Sequence, residues 1–489
     1  MNQNIGTDLG LNFDNDYDRL PNYLLSKVAP EPVASPELIL TNDSYAKSLD
    51  LNFSKVSLKS LTKIFSGNVL PKDSESVAFA YAGHQFGFFT VLGDGRAVSL
   101  GEHKTKKNIK VDIQLKGSGK TPYSRQGDGR AALGPVLREY IISEAMFGLG
   151  IPTTRCLAVV KTGEDVIREK PLPGAVLTRV ASSYIRVGTF QYLALKKDIG
   201  GLEELVDYTI NRHFIKLKNS ENPALELLKA VIKKQIDLVV SWMRVGFVHG
   251  VLNTDNVAVS GETIDYGPCA FLDSYNKQAV FSSIDSSGRY SFGNQPIITH
   301  WNLLRFAETL LPLIHKDQKT ALKIAADVFE GFEDMFKKAW LSMMMKKIGL
   351  SKEEVGDDIL IKKLLDWMEK HSADFTNTFV FLTTGKSFNN KVYGKRDFLD
   401  WCDLWKSRLL RSKNKDEFKI LMGENNPIII PRNQVVEEVL DGVLSNNNLV
   451  SLFNFLDVLL DPYNIKHNGS YYQKTPKDGG LNYKTFCGT

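Results

Sequence analysis

An α+β chain of two lobes, sheet-rich first and helical second, with an extension at each end, is the fold this sequence predicts. Three observations predict it. Between about residues 76 and 195, short apolar runs (FFTVLG, VDIQLKG, TRCLAVV, GAVLTRV) alternate with Gly-rich turns, the texture of a mostly antiparallel sheet. Between about 196 and 345, long segments such as ALELLKAVIKKQIDLVVSWMRVG and NLLRFAETLLPLI carry apolar residues at helical spacing. Set among those helices is a polar stretch with metal-type ligands, HGVLNTDNVAVSGETID, running from His249 to Asp265.

Taken in order, residues 1–75 are mixed and loop-rich, and the Pro-dense PEPVASPE cannot continue a helix. They form an N-terminal extension that packs on the rest. Residues 76–195 form the sheet lobe, interrupted by one helix pattern from Pro135 to Leu149. Residues 196–345 form the helical lobe with the metal-ligand loop. Residues 346–489 are Lys-rich and helical in pattern, without a visible repeat, and form a C-terminal extension.

Composition narrows the function. The 489 residues are 43% hydrophobic, enough for a large core divided between subdomains. Sixty-one basic residues against 56 acidic ones leave a formal charge of +5, without a long basic run interleaved with aromatics; nucleic acid is not the expected partner. Cys156, Cys269, Cys402 and Cys487 lie far apart with no C-x-x-C pair, so neither a zinc cluster nor a disulfide framework is indicated. The start, MNQNIGTDLGLNFDNDYDRL, is acidic and Asn-rich, unlike a signal or transit peptide. No apolar stretch approaches the roughly 20 residues that span a bilayer. The expected location is the cytoplasm, away from any membrane.

The polar loop can be compared with the protein kinase catalytic loop, H-R-D-L-x-x-x-N followed by D-F-G, in which the Asn and the second Asp hold magnesium. His249 and Asn256 stand at that spacing, and Asp265-Tyr266-Gly267 replaces D-F-G. The position of the catalytic Asp is Val251, which cannot accept a proton. Asp255, beside Asn256, is the spare carboxylate. Sheet lobe, hinge and helical lobe follow the kinase-like bilobal order, with a loop suited to a metal nucleotide but lacking the usual base.

Nucleotide-cradling parts are expected in the sheet lobe. Gly93-Asp94-Gly95-Arg96 lies between FFTVL and AVSLGE and reads as a hairpin turn, either a bare turn or one whose glycines let a phosphate approach backbone N–H groups. Lys116 ends an alternating strand, and Glu139 in the following helix stands in the right order for the Lys–Glu pair that orients phosphates in kinases. Between them TPYSRQGDGRAALG forms a second polar loop with Arg125, Asp128, Gly129 and Arg130. Arg179 and Arg186 are two guanidiniums seven residues apart, either a phosphate clamp or two ordinary surface ion pairs.

YAGHQFGFFTVLGDGRA, LKGSGKTPYSRQGDGRAALGPVLREYI, TRVASSYIRVGTFQYLA, HGVLNTDNVAVSGETIDYGP and NPIIIPRN together resemble the selenoprotein O family, whose bacterial members usually carry Cys in place of selenocysteine. The resemblance implies a kinase-like (pseudokinase) fold that binds ATP in a flipped orientation and transfers AMP to protein Ser, Thr or Tyr hydroxyls. It further implies that Gly93, Gly95, Arg96, Lys116, Asp128, Gly129, Arg179, Arg186 and Asp265 contact the nucleotide. Asp255 would be the proton acceptor, Asn256 and Asp265 the ligands of Mg2+ or Mn2+, and Glu139 the partner of Lys116.

One departure stands out. The family often pairs a Cys of the activation-loop region with the C-terminal one; this chain keeps Cys487 but has Phe281-Ser282-Ser283-Ile284 where the partner is expected. Cys269 is the nearest alternative, and a small buried residue is its expected role. His84, His249 and His300 lack partners at metal-ligand spacing and are expected to be structural. Three functions remain at this stage: AMP transfer, with UMP transfer from UTP and manganese as a close variant; a kinase transferring the γ-phosphate with Asp255 as base; and an inert nucleotide-binding scaffold.

Overall fold

A computed structural model describes residues 9–386, 391–411 and 417–485. Its centre is a nine-stranded sheet whose strands pair antiparallel. The strands are β1 (Leu25–Lys27), β2 (Glu37–Thr41), β3 (Val77–Gln85), β4 (Phe88–Gly93), β5 (Ala97–Lys104), β6 (Lys110–Lys116), β7 (Ala131–Ala132), β8 (Arg155–Ile167) and β9 (Pro171–Ala181). Their main order is β1-β3-β5-β6-β9-β8-β2, with β4 on β3 and β7 on β9. The first 75 residues thus supply a strand to each edge of the sheet.

Alternation along β6 decides what each face receives. Val111, Ile113 and Leu115 point into a core packed by Leu61, Ile64 and Phe65 of helix α2 (Leu58–Phe65), which follows the short α1 (Asp43–Ser48). Asp112, Gln114 and Lys116 therefore point to the other face, because strand side chains alternate with period two. Gln114 sits opposite Arg179 in the β6–β9 register, which brings two polar side chains to the same face.

That face is covered by α3 (Leu133–Gly148), one residue pair longer at its start than the sequence pattern and packed on β8 and β9. Leu137, Ile141, Ala145 and Met146 are fully buried there. Glu139, also buried, faces the strand end carrying Lys116.

Helices α4 (Val187–Lys196), α5 (Ile199–His213), α6 (Pro223–Val245) and α7 (Gln295–Ile314) lead the second half. In α6, Asn222 caps Leu225 N–H, Pro223 sits at the start, and Gly246 closes the end at φ 76°; each is the residue type that its position favours. The chain then forms a short pair, β10 (Phe247–Val248) and β11 (Ala270–Phe271), and the polar loop 249–269 projects from it. A fully buried aromatic cluster of Trp242, Phe247 and Phe271 anchors this base. Beyond α7 the chain is helical, and the segments Asn433–Asn446 and Leu449–Leu459 return to pack on α3. No helix among the described residues is long and apolar enough to cross a membrane.

One sequence expectation is corrected. Gly93–Arg96 does not turn a hairpin: β4 pairs with the second half of β3 and β5 with its first residue, so Asp94-Gly95-Arg96 interrupts one run alongside β3. Asp94 N–H still bonds Phe79 O at 2.9 Å. The hairpin turn lies earlier, at Phe86 and Gly87, whose φ values of 52° and 89° suit the tight two-residue connection.

Candidate active site

Where β6, β9, α3 and the polar loop converge, buried charges form one network. Lys116 pairs with Glu139. Glu139 also accepts from Arg179 at 3.2 Å, and Arg179 reaches Asp265 at 2.7 Å. Arg186 holds the other Asp265 oxygen at 3.0 Å and donates to the backbone oxygen of Asp255 at 2.8 Å. Arg179 is steered by Gln114 through a 2.8 Å bond, and Arg186 lies over the Tyr81 ring, 4.4 Å from its centroid. The two arginines are 5% and 2% exposed at the side chain, which rules out the reading as ordinary surface ion pairs.

Burial pushes the Asp265 carboxyl up, but Arg179, Arg186 and Lys116 together outweigh it and hold the group well below the usual carboxylate range. Glu139 is likewise held low, burial being opposed by Lys116 and Arg179. Burial pulls the Lys116 ammonium down against the attraction of Glu139. Asp255 behaves differently: burial pushes it up to about 6, opposed by Arg186. Its Oδ1 is buried without a hydrogen-bond partner, while Oδ2 accepts from Gln85 at 3.3 Å.

The loop is built to hold these groups. Asp265 adopts a left-handed backbone at φ 59°, and Gly250, at φ 81°, leaves no room for a side chain because an added Cβ would lie 2.4 Å from Pro268 O. His249 bonds Ile264 O at 2.9 Å and stacks on Trp242, so it ties the two ends of the loop together. His84 bonds Gln191, and His300 packs on Phe329 and Phe332. Cys269 is buried, and burial pushes its thiol up to about 12, in keeping with a small core residue. Cys487 lies outside the described residues.

The glycine loops meet over the strand ends. An added Cβ at Gly93 would lie 2.3 Å from the Tyr123 ring, and one at Gly95 would lie 2.8 Å from Tyr123 O. Thr121 Oγ1 donates to Asp94 O at 2.7 Å, so the second polar loop rests on the first. Gly129, at φ 70°, closes against Gly119. Gly117 N–H bonds Arg96 O at 2.7 Å, linking this layer to Lys116. Asp128 stands apart from the buried network, its carboxylate 2.7 Å from Arg168.

A model of the protein adenylyltransferase SelO family matches residues 8–459. The chain belongs to that family. A relative from Pelagibacter ubique, called protein nucleotidyltransferase YdiU, is 52% identical over 483 residues, spanning 98% of this chain and 100% of its own. Proteins of the same name from Brevibacillus brevis and Clostridium beijerinckii are each 52% identical, over 481 and 486 residues, spanning 98% and 99% of either chain.

In this family member the donors fit a hard divalent cation. Asn256 commits its amide nitrogen to Val251 O at 2.8 Å, which leaves the amide oxygen to face a cation, and Asp265 offers carboxylate oxygens, so both donors are of the hard oxygen type. Gln85, Gln114 and Tyr81 touch the charged groups but carried no signal of their own in the sequence; only the strand register could have placed Gln114 beside Arg179.

Proposed function

We propose that this protein nucleotidyltransferase moves AMP from ATP to Ser, Thr or Tyr hydroxyls of other proteins in the cytoplasm, through a kinase-like two-lobed frame. The observation that carries the reading is the convergence of Lys116, Arg179 and Arg186 on Glu139 and Asp265. Such a cluster of cationic donors suits the inner end of a polyphosphate, and it lies beside a loop with Val251 where a kinase has its base.

In this reading the β- and γ-phosphates lie toward Lys116, Arg179 and Arg186, with Gly93, Gly95, Arg96, Asp128 and Gly129 around the nucleotide. The acceptor oxygen bonds to the α-phosphorus, the bond to the bridging oxygen breaks, pyrophosphate leaves, and the hydroxyl proton passes to Asp255. Arginine forks stabilise charge developing on the phosphate oxygens. Asn256 and Asp265 would hold Mg2+ or Mn2+, which when bound supplies positive charge to the phosphates. Arg179 and Arg186 bond Asp265 and would divide their hydrogen bonds between it and the phosphates. Three buried free thiols, Cys156, Cys269 and Cys402, support a reducing compartment.

The test uses ATP labelled at the α- or the γ-phosphate, incubated with enzyme and cell protein. Label entering protein from the α-phosphate is expected. Label entering only from the γ-phosphate would mean a kinase, and label entering from neither would mean a scaffold.

A further inference from the structure

Arg179 and Arg186 spend only part of their guanidiniums on the protein. Arg179 gives Nε to Gln114 Oε1 at 2.8 Å, and Nη1 to Glu139 at 3.2 Å and Asp265 at 2.7 Å. Arg186 gives Nε to Tyr184 O at 3.4 Å, and Nη1 to Asp255 O and Asp265. Among the described residues neither Nη2 has a hydrogen-bond partner. The guanidinium is a rigid planar fork, so where Nη2 points follows from how Nε and Nη1 are held.

Gln114 holds the Nε edge of Arg179, and Gln114 must itself be held, because a side-chain amide can turn over and exchange its oxygen for its nitrogen. Asp94 supplies that hold. Its Oδ2 accepts from Gln114 Nε2 at 3.1 Å and from Phe79 N–H of β3 at 3.2 Å. An amide turned the other way would set acceptor against acceptor at Asp94 and donor against donor at Arg179. Asp94 and Gln114 are 4% and 0% exposed, so bulk water does not fill in for a lost partner. Asp94 is fixed at its backbone as well, N–H to Phe79 O at 2.9 Å and O to Thr121 Oγ1 at 2.7 Å. One line of bonds thus runs from the glycine segment through Asp94, Gln114 and Arg179 to Asp265.

We propose that Asp94 and Gln114 are positioning residues for ATP, a buried relay that sets the Arg179 fork so that its uncommitted Nη2 meets the β- or γ-phosphate. The inference deepens the AMP-transfer reading and rests on it. Asp94 acts as a hydrogen-bond acceptor at a fixed point, and its negative charge is not what the relay uses. Because both bonds fall on Oδ2, an Asn whose amide oxygen takes that place keeps them.

The experiment is a double-mutant cycle on ATP affinity, read by displacement of a fluorescent ATP analogue, with Gln114→Met, Arg179→Lys and the two together. Melting temperature checks that each variant folds. We expect Gln114→Met to weaken ATP about tenfold, the scale of a buried hydrogen bond to a charged group. Added to Arg179→Lys it should weaken ATP by no more than about twofold further, because a residue that acts through another loses its effect once the other is replaced. Losses that multiply to about a hundredfold mean independent structural roles and overturn the proposal, as does Gln114→Met within about twofold of wild type. Asp94→Asn should stay within about threefold of wild type while Asp94→Leu falls about as far as Gln114→Met. Equal losses in Asp94→Asn and Asp94→Leu would assign the effect to charge and overturn the relay. Should Gln114→Met fail to fold, Asp94→Leu takes its place in the cycle. AMP incorporation from α-labelled ATP is followed alongside: wild type that binds ATP but transfers no α-label sinks the AMP-transfer reading, and the affinities still judge the relay. Wild type that binds no ATP overturns both.

Discussion

Strand β6 carries a buried ion network at each end, and the two are built on opposite principles. At one end Arg212 reaches Asp112 at 2.7 Å and Glu102 at 2.5 Å; Tyr208 donates to Glu102, and Tyr184 N–H donates to Asp112 at 3.1 Å. Two carboxylates share one guanidinium, and each has its hydrogen bonds filled. At the other end Glu139 and Asp265 bond three cations, buried Asp94 also faces Arg179 and Arg186, and neighbouring Asp255 keeps an unpartnered oxygen. The key carboxylates titrate in opposite directions: Asp112 is pushed up to about 7, by burial foremost, with Arg212 opposing and Glu102 adding to it, whereas Asp265 is held low, against its burial, by Arg179, Arg186 and Lys116. A closed network with its hydrogen bonds filled serves the fold, and an open one with three cationic donors at one point and an unpartnered oxygen beside them is suited to a ligand.

The largest expected effect comes from breaking the open network. Asp265→Ala should lower AMP incorporation at saturating ATP by about 10³-fold, the scale of losing one preorganised group at a reacting phosphate, as followed by α-phosphate label. The matching break in the closed network is Arg212→Met. It leaves Glu102 and Asp112 buried without their cation, which should cost about 3–5 kcal/mol. Chemical denaturation would measure that loss, while ATP affinity of the folded protein stays near wild type.

A gentler change sharpens the contrast. Arg179→Lys keeps the charge but loses the fork shared among Gln114, Glu139 and Asp265, so ATP affinity should fall about tenfold with little change in melting temperature. Equilibrium binding of a fluorescent ATP analogue would check it.

The smallest effect concerns pH. The folded carboxyl of Asp112 lies above its unfolded value of 3.8, so its contribution to stability is full below that value and is lost as pH rises through about 7. Asp112→Asn should therefore narrow the difference in melting temperature between pH 5 and pH 8 by about 1–2 °C. Asp265 has the opposite sign: its contribution is present above the ordinary carboxylate range and is lost only in strong acid.

The sequence by itself determined the local and periodic facts. Alternation in VDIQLK placed a strand ending at Lys116, helical spacing placed α3, α6 and α7, and the gap at Val251 beside Asp255, Asn256 and Asp265 pointed to metal-nucleotide chemistry without the usual base. These were legible because strand and helix periods, and the spacing of ligands within one loop, are written in neighbouring residues. The tertiary structure alone decided which charges meet. Arg179 joins Gln114 by strand register, Arg186 and Asp265 meet across 79 residues, and Gln85 reaches Asp255 across 170. It also showed that Gly93–Arg96 interrupts a strand while Phe86-Gly87 makes the turn, because a D-G pair and an F-G pair can each supply the left-handed residue and only pairing to β3 selects between them. Burial and long-range pairing are properties of the folded chain, and they decide which charges meet at Asp265 and raise the carboxyl of Asp255.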